Sequence, residues 1–335
     1  MSSLDRADAR RRDQADELAA FRQRFVIAEP DLVYLLGNSL GRLPRAAEAQ
    51  IREAVSSGWG ERLIRGWNDG WMALPEQIGD RLALLLGAEP GEVLLADSTS
   101  VNLYKLALAA LRARPGRRKV VTDDLNFPSD LYVLQSAVSA AGGDYQLQIV
   151  PSPDGCAGPE AALAAALDEQ TALLSLSHTV FKSAYTYDLA ALTARAHEAS
   201  ALVLWDVSHS AGAMPLKLRA SGADLAVGCT YKYLNAGPGA PAFLYVRREL
   251  QEQVQNPIAG WMGQARPFDF ELDYQPAAGL RRFLTGTPSI LSLAPVAAGV
   301  ELLAGGRSGA RARQIAGADG LPHRALGGEA SAPGF

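Results

Sequence analysis

"ADLAVGCTYKYLNAGPG", residues 223–239, is an apolar run that leads to a lysine between two tyrosines and then to a loop rich in Ala, Gly and Pro. The apolar run predicts a buried strand, and the Gly/Pro loop predicts a turn directly after it. Ligands of open α/β sheets bind beyond the carboxyl ends of the strands. We therefore expect Lys232 to lie at the ligand-binding edge of a sheet.

The chain from Glu89 onward repeats this pattern, with Ala/Leu-rich periodic stretches between short apolar runs. The strand-like runs are 92–97, 118–123, 145–150, 172–178, 201–206, 223–230 and 242–247, and the helix-like stretches are 101–113, 129–141, 159–169, 188–200 and 290–303. Several runs are apolar on both faces, as in strands that helices cover on each side. The predicted fold class is α/β, with a mostly parallel seven-stranded sheet flanked by helices.

Both ends of the chain differ from this core. In the first part, 33–44 reads as a short strand with a Gly-rich turn, and 45–60 reads as a helix. We divide the chain into an N-terminal helical segment and arm (1–60), a large α/β domain (61–270), a connection into a small domain (271–303) and a Gly/Ala/Arg-rich tail (304–335). The tail has few large apolar side chains and is predicted to be disordered.

Composition favours small-molecule chemistry. A formal net charge of −4 over 335 residues argues against nucleic-acid and membrane partners. The chain has two cysteines, Cys156 and Cys229, which leaves no disulfide framework or Cys-based zinc site and predicts a reducing compartment. The charged first residues do not resemble a signal peptide, and no run is long enough to span a membrane. A soluble, cytoplasmic protein without a metal site is predicted.

The predicted strand ends carry chemistry that fits a single ligand. Asp206 ends one run, Lys232 follows the next, and Thr99 and Ser100 begin a helix after the first. A hydroxyl-rich helix start suits a phosphate, a carboxylate keeps a pyridinium nitrogen protonated, and a lysine amine forms a Schiff base with an aldehyde. Phe127 can stack on a flat ring. Together these groups predict a site for pyridoxal 5'-phosphate (PLP).

Each of these residues taken singly has a simpler explanation. Asp206 suits a turn, Lys232 a solvated surface, the hydroxyl-rich helix start an ordinary cap, and Phe127 the core. Their shared placement at strand ends favours the common site. A dinucleotide-binding Rossmann domain also fits the α/β pattern, but no G-x-G-x-x-G joins a first strand to a helix.

Four motifs carry a resemblance to a known family: "YLLGNSLGRLP" (34–44), "NFPSDLYV" (126–133), "WDVSHSAGAMPL" (205–216) and "GCTYKYLNAGPGAPAFLYV" (228–246). They resemble the kynureninases, fold-type I PLP enzymes of the aminotransferase class V superfamily, and the resemblance runs from about Tyr34 to Leu303. It implies that Lys232 is the Schiff-base lysine, that Asp206 pairs with the pyridine nitrogen, and that Phe127 stacks on the ring.

The resemblance also implies the remaining site residues. The further cofactor residues are Thr99, Ser100, Pro128, Ser129, Asp130, Ser177, His209, Tyr231, Trp261 and Thr287, and the substrate residues are Asn38, Ser39 and Trp67. Trp261 and Thr287 are expected to reach the cofactor of the neighbouring subunit, so a homodimer with shared active sites is implied. Lys232, Tyr231 and Asp206 are the expected catalytic residues, with Tyr231 as an acid that also contacts the phosphate.

The implied reaction is hydrolysis of L-kynurenine to anthranilate and L-alanine, with 3-hydroxykynurenine and 3-hydroxyanthranilate as the related pair, in tryptophan catabolism and NAD biosynthesis. Members of the family continue into a C-terminal small domain whose arginine binds the substrate carboxylate. Here the resemblance breaks after "VELL" (300–303), which predicts a truncated or frame-shifted chain that binds substrate poorly.

Three alternatives remain at this point. A transaminase of the same superfamily and an inactive PLP-binding remnant both fit the cofactor residues. A cysteine desulfurase shares the fold but needs a cysteine late in the chain, and none follows Cys229.

Overall fold

The computed structural model describes residues 6–305 and contains one seven-stranded sheet. Its strands are β1 Val93–Leu95, β2 Lys119–Asp123, β3 Gln146–Val150, β4 Thr171–Ser177, β5 Leu202–Asp206, β6 Leu225–Gly228 and β7 Phe243–Val246. Across the sheet the order is β1-β7-β6-β5-β4-β2-β3. Strand β7 runs antiparallel to both neighbours, and the other pairs are parallel. The seven predicted strands and the mostly parallel α/β fold are confirmed.

Alternation along the central strand β5 explains why the sheet has a core on each face. Val203 and Trp205 pack into one buried cluster, whereas Leu202 and Leu204 pack into the other. Successive side chains of a strand point to opposite faces, so an all-apolar strand must be covered on both sides. Every residue of β5 is buried, as this requires.

Helices supply the two covering layers. The described α-helices are α1 Arg6–Ala15, α2 Arg45–Glu53, α3 Leu74–Leu86, α4 Thr99–Arg112, α5 Pro128–Ala141, α6 Glu160–Ala166, α7 Leu189–Glu198 and α8 Ile290–Gly305, and six of them form the layers. A π-helix spans Ala54–Arg62, and short 3-10 helices span Ala19–Arg24, Leu63–Trp67, Arg248–Leu250, Trp261–Gly263, Pro267–Asp269 and Gly279–Phe283. Helices α4 and α5 cover one face of the sheet, and α3, α6, α7 and α8 cover the other.

The N-terminal arm, residues 31–44, corrects one prediction from the sequence. The short strand expected within 33–44 does not form, and the segment is an irregular chain with a turn over 37–40. Its apolar side chains are exposed, including Leu35 at 82% and Val33 at 78%. Its β-type pairing among the described residues is limited to an isolated antiparallel bridge between Phe25 and Pro44, next to a 2.9 Å hydrogen bond from the Val26 amide to the Leu43 carbonyl oxygen, so no ladder forms.

The last described helix, α8, packs against α2 and α3 and closes the second layer. It continues two residues beyond the predicted boundary at 303, to Gly305. The predicted disorder of the tail concerns residues 306–335, which lie outside the described residues. None of the helices between residues 6 and 305 is long and apolar enough to cross a membrane.

Candidate active site

The carboxyl ends of the parallel strands bring the predicted residues to one edge of the sheet. Ser177 at the end of β4 is in register with Asp206 at the end of β5. The His178 amide donates a 2.8 Å hydrogen bond to the carbonyl oxygen of Asp206, which joins the two strand ends. Strand β6 ends at Gly228, and the turn after it carries Lys232 to the same edge.

A cavity of about 320 Å³ lies at this edge. It is lined by residues from the arm, from the starts of α4 and α5, and from the segments after β4, β5 and β6: Asn38, Ser39, Thr99, Ser100, Phe127, Ser129, Asp130, Phe181, Asp206, Ser208, His209, Tyr231 and Lys232. Small-molecule sites typically occupy roughly 300–1,000 Å³, so the space is suited to a cofactor-sized ligand.

The Lys232 amine lies between a histidine and two aromatic rings. Its Nζ is 2.7 Å from Nε2 of His209. It also lies 5.9 Å from the centre of the Phe127 ring and 6.0 Å from that of Tyr231. Burial and the nearby Lys232 charge lower the pKa of His209 to about 4. At neutral pH His209 is therefore uncharged and accepts a hydrogen bond from Lys232.

Two carboxyl groups, Asp130 and Asp206, face the cavity together. Asp130 is 4% exposed, and its Oδ2 has no hydrogen-bond partner among the described residues. Burial and then the neighbouring Asp206 carboxylate raise the pKa of Asp130 well above its usual range, while the Ser177 hydroxyl opposes the change. An unpartnered buried oxygen beside a second carboxylate suits a ligand that brings a positively charged N–H group.

Two helix starts converge on the other end of the cavity. Ser98 caps α4, and its side chain accepts from the Val101 amide. The Ser100 hydroxyl lies 2.9 Å from that of Ser129 in the first turn of α5. Thr99, Ser100 and Ser129 therefore present hydroxyl groups where two helix N-termini meet, which favours an anion such as phosphate.

Tyr231 borders the cavity next to Lys232. Burial, followed by the nearby Cys229, raises the pKa of the Tyr231 phenol to about 12. The phenol therefore keeps its proton at neutral pH and can donate it to a reacting oxygen or carbon.

The arm completes the cavity wall with Asn38 and Ser39. The Gly41 amide donates a 2.8 Å hydrogen bond to the carbonyl oxygen of Tyr231. A Cβ atom on Gly41 would overlap the Lys232 carbonyl oxygen, so only glycine allows this close approach. The arm and the lysine turn are held together through their backbones.

Five of the predicted residues do not line this cavity. Ser177 lies beneath it and interacts with Asp130, and Pro128 starts α5. The Trp67 ring packs at a right angle on Trp71, with the ring centres 5.4 Å apart. Trp261 is 45% exposed and donates a 2.8 Å hydrogen bond from its ring to the Pro267 carbonyl. Thr287 is exposed and lines a second cavity instead.

Reasoning from the sequence missed three residues that shape the site. Phe181 packs on Phe127 with the ring centres 5.2 Å apart, and Ser208 lines the cavity. The side-chain oxygen Oδ1 of the buried Asn126 accepts a 2.6 Å hydrogen bond from the backbone N–H of Ser177. This bond joins the end of β4 to the segment before α5. Ser208 and Asn126 stand inside the motifs that contain Asp206 and Phe127, whereas the position of Phe181 has no signal in the sequence.

Metal binding finds no support in the described part of the chain. Residues 6–305 contain no group of three or more His, Cys, Asp and Glu side chains that could hold a metal ion.

Residues 47–319 match the aminotransferase class-V family. Several proteins named kynureninase are similar to this chain over most of their length. The one from Pseudomonas fluorescens is 45% identical over 297 residues, covering 87% of this chain and 70% of the relative. The one from Burkholderia pseudomallei strain K96243 is 43% identical over 304 residues, which cover 89% of this chain and 71% of the relative.

Solved structures share the fold at lower identity. A variant of C-DES with glycine covalently linked to its PLP cofactor superposes with a TM-score of 0.75 at 20% identity, over 88% of this chain and 77% of the other. The cysteine desulfurase of Thermococcus onnurineus NA1 superposes with a TM-score of 0.70 at 20% identity, over 92% of this chain and 73% of the other. At this identity the likeness establishes the fold alone.

Proposed function

The chain belongs to the kynureninases within the class V aminotransferases, and we propose that it hydrolyses L-kynurenine to anthranilate and L-alanine, and 3-hydroxykynurenine to 3-hydroxyanthranilate and L-alanine. The observation that carries the proposal is the single cavity around Lys232, which gathers Asp206, Asp130 and Phe127 from different parts of the chain. PLP enzymes use a lysine for the Schiff base and a partner such as Asp for the pyridine nitrogen, and an aromatic ring can stack on the cofactor.

The cofactor is PLP, and the cavity residues fit it. We assign its aldehyde end to Lys232, its phosphate to the helix starts at Thr99 and Ser100, its ring nitrogen to Asp206 and its ring face to Phe127. The unpartnered Oδ2 of Asp130 would be available as an acceptor beside Asp206 at the same end of the cofactor. When bound, PLP supplies the electron sink for the Cα–H and Cβ–Cγ bonds that the hydrolysis breaks.

The protein side chains then handle protons. Lys232 Nζ, held at 2.7 Å from the neutral His209 ring, is the base for the substrate Cα proton. Water adds to the γ-carbonyl carbon of the substrate, so that anthranilate leaves with a carboxyl group when the Cβ–Cγ bond breaks. Tyr231, whose phenol stays protonated, is the acid that donates a proton to Cβ of the alanine fragment. Asp206 is placed next to the proposed site of the ring nitrogen. Asn38 and Ser39 on the arm are assigned to the substrate because they line the open side of the cavity.

We also propose a homodimer in which Trp261 and Thr287 reach the cofactor of the other subunit. Their exposure outside the Lys232 cavity supports this role. Apolar side chains are exposed in the arm and around Trp261, and a second copy of the chain would cover them: Leu35, Leu36, Phe268, Phe270 and Leu272. Trp67 stays a proposed substrate residue.

The remaining assignments are proposals as well. We propose an N-terminal helical segment and arm (1–60), a large PLP-binding α/β domain (61–270) and a connection into the start of a small domain (271–303), with cytoplasmic location and a role in tryptophan catabolism and NAD biosynthesis. Lys232 is the only cation among the described residues that line the cavity, so the substrate carboxylate finds no arginine partner in that lining.

One assay tests the function. The purified chain is incubated with PLP and L-kynurenine while the cofactor absorbance and the fluorescence of anthranilate are followed together. The proposal predicts repeated release of anthranilate without an added keto acid. Turnover that stops after one cycle and resumes with a keto acid indicates a transaminase, and an unchanged cofactor spectrum indicates a chain that does not bind PLP.

A further inference from the structure

Lys105 on α4 is a fully buried lysine that the proposed chemistry does not use. Its side chain is 0% exposed, and its Nζ lies 2.5 Å from Oδ2 of Asp97. The same Nζ donates a 2.7 Å hydrogen bond to the carbonyl oxygen of Phe283, far away along the chain. A buried ammonium needs such partners, and losing one of them leaves an unpaired charge in the core.

The partner Asp97 holds the turn that leads into the start of α4. Its φ is +42°, a left-handed conformation that residues other than glycine rarely adopt. The Asp97 carbonyl accepts a 2.8 Å hydrogen bond from the Ala242 amide. The turn is thus fixed on one side by β7 and on the other by Lys105, directly before Thr99 and Ser100.

The second contact of Lys105 reaches the segment Phe283–Thr287. Thr285 in this segment also approaches Asp97, with its Oγ1 3.4 Å from Oδ1. Asp97, Thr285 and Thr287 line a cavity of about 470 Å³ that adjoins the PLP cavity, and Tyr231 lines both. One ammonium group therefore bonds to Asp97, which lines this second cavity, and to Phe283, which directly precedes the lining residues Leu284 and Thr285.

We propose that Lys105 is a positioning residue that fixes the phosphate-binding start of α4 to the segment Phe283–Thr287 through its contacts with Asp97 and Phe283. The inference rests on the proposed function, because it assigns the phosphate to Thr99 and Ser100. Through Lys105, the phosphate end of one cofactor site is connected to the segment Phe283–Thr287, which is proposed to reach the other subunit.

The test replaces Lys105 with Met, which keeps the length of the side chain and removes its charge and donors. Lys119→Met is the matched control, since Lys119 Nζ also binds one carboxylate, Asp168 at 2.5 Å, and one carbonyl, Ala166 at 2.7 Å, but at the other end of the sheet. PLP affinity is measured by titration of tryptophan fluorescence, and hydrogen exchange of the PLP-free chain is followed in 97–101 and 283–288.

We expect Lys105→Met to weaken PLP binding about tenfold, because a loosened helix start aligns fewer N–H groups with the phosphate. The rate of hydrogen exchange should rise in 97–101 and in 283–288 together. Lys119→Met should change neither the exchange rates nor the PLP affinity. PLP binding within about twofold of the parent chain, or faster exchange in only one segment, overturns the proposal. A parent chain that fails to bind PLP refutes the proposed function, while hydrogen exchange still decides whether Lys105 couples the two segments.

Lys105→Met leaves Asp97 without its cation, so the single variant risks misfolding. The double variant Lys105→Met with Asp97→Asn removes both charges and leaves no unpaired one. Its exchange in 97–101 and 283–288 should still rise in parallel, because the bond to Phe283 is lost as well. Protection equal to that of the parent chain in the double variant contradicts the proposal.

Discussion

The Gly41 amide donates a 2.8 Å hydrogen bond to the carbonyl oxygen of Tyr231, the residue before the lysine assigned to the cofactor. The next carbonyl, that of Lys232, is bonded to the Asn235 amide at 3.0 Å and lies where a Gly41 side chain would be. A contact between two backbones transmits displacement directly, since neither side can adjust a rotamer. The position of the arm therefore determines the position of Lys232.

Gly41→Ala should displace the lysine turn. We expect a loss of about 1–3 kcal/mol in the free energy of unfolding, because the methyl group overlaps backbone atoms that must move. Turnover should fall about tenfold or more, since small misplacements of reacting groups are costly. Urea unfolding and steady-state release of anthranilate measure the two effects.

Gly37→Ala is the control within the same arm. Nothing lies within 4 Å of a Cβ atom at Gly37, and neither glycine has a positive φ. We expect a change of less than about 0.5 kcal/mol and normal turnover. Equal effects of the two substitutions would mean that the arm acts through general flexibility and not through the Lys232 contact.

Asp130→Asn should stabilise the PLP-free chain at neutral pH. A carboxyl whose folded pKa is raised stabilises the fold fully only below its unfolded pKa, and that contribution is lost as the pH rises to the folded pKa. The neutral amide avoids the loss, so the variant should be more stable than the parent chain at pH 7 and about equally stable near pH 4. Urea unfolding of both chains across this range measures the difference.

Asp144→Asn, at an exposed carboxylate before β3, is the control for charge removal alone. Added PLP should reduce the gain from Asp130→Asn, because a positive ring nitrogen beside Asp130 and Asp206 relieves their repulsion. A gain that is the same at pH 4 and pH 7 contradicts the assignment of a raised pKa.

The sequence predicts the sheet well because its central strands are buried on both faces. Apolar runs such as 201–206 have few alternatives to a buried strand, and the polar residue that ends each run marks the carboxyl edge. The strand-end positions of Asp206, Lys232 and Thr99 in the sequence therefore predict that the three residues share one site. The short strand within 33–44 was wrong because pairing depends on a neighbouring strand, which local pattern does not report.

Long-range contacts are the part that sequence reasoning did not reach. Phe181 meets Phe127 through the turn after β4, and Lys105 meets Phe283 across 178 positions of the chain. Neither pair has a periodic or motif signal, since each depends on how separate loops pack. The buried lysine in particular looks like a solvated helix residue in the sequence, and only its burial identifies it.

Tyr231→Phe should lower turnover by roughly 10²–10⁴-fold if the phenol is the acid, which is the usual contribution of a general acid. Its pKa of about 12 keeps the proton in place through the neutral range, so activity lost between pH 7 and 9 should come from other groups. Tyr233→Phe is the control, because Tyr233 lies two positions away and outside the cavity lining. Unchanged turnover in Tyr231→Phe removes the proposed role.

His178→Gln should flatten the loss of stability in acid. The His178 ring is buried, with Nδ1 2.9 Å from the Ser210 hydroxyl, and burial lowers its pKa from 6.5 to about 4. A histidine with a lowered folded pKa contributes stability that is fully present above its unfolded pKa of 6.5 and is lost as the pH falls toward 4. The parent chain should lose up to about 3 kcal/mol over this range through His178, and the variant should not.

Urea unfolding at intervals between pH 7 and pH 4 gives the slope of the unfolding free energy against pH for the parent chain and for His178→Gln. Some slope should remain in His178→Gln, because the pKa of His209 is also lowered to about 4. Ser210→Ala is the control, since it removes the hydroxyl beside Nδ1 but keeps the buried imidazole, and so it should retain the acid slope of the parent chain. A slope that disappears in Ser210→Ala, or persists in full in His178→Gln, means that the hydrogen bond or another group governs the acid transition and not the burial of His178.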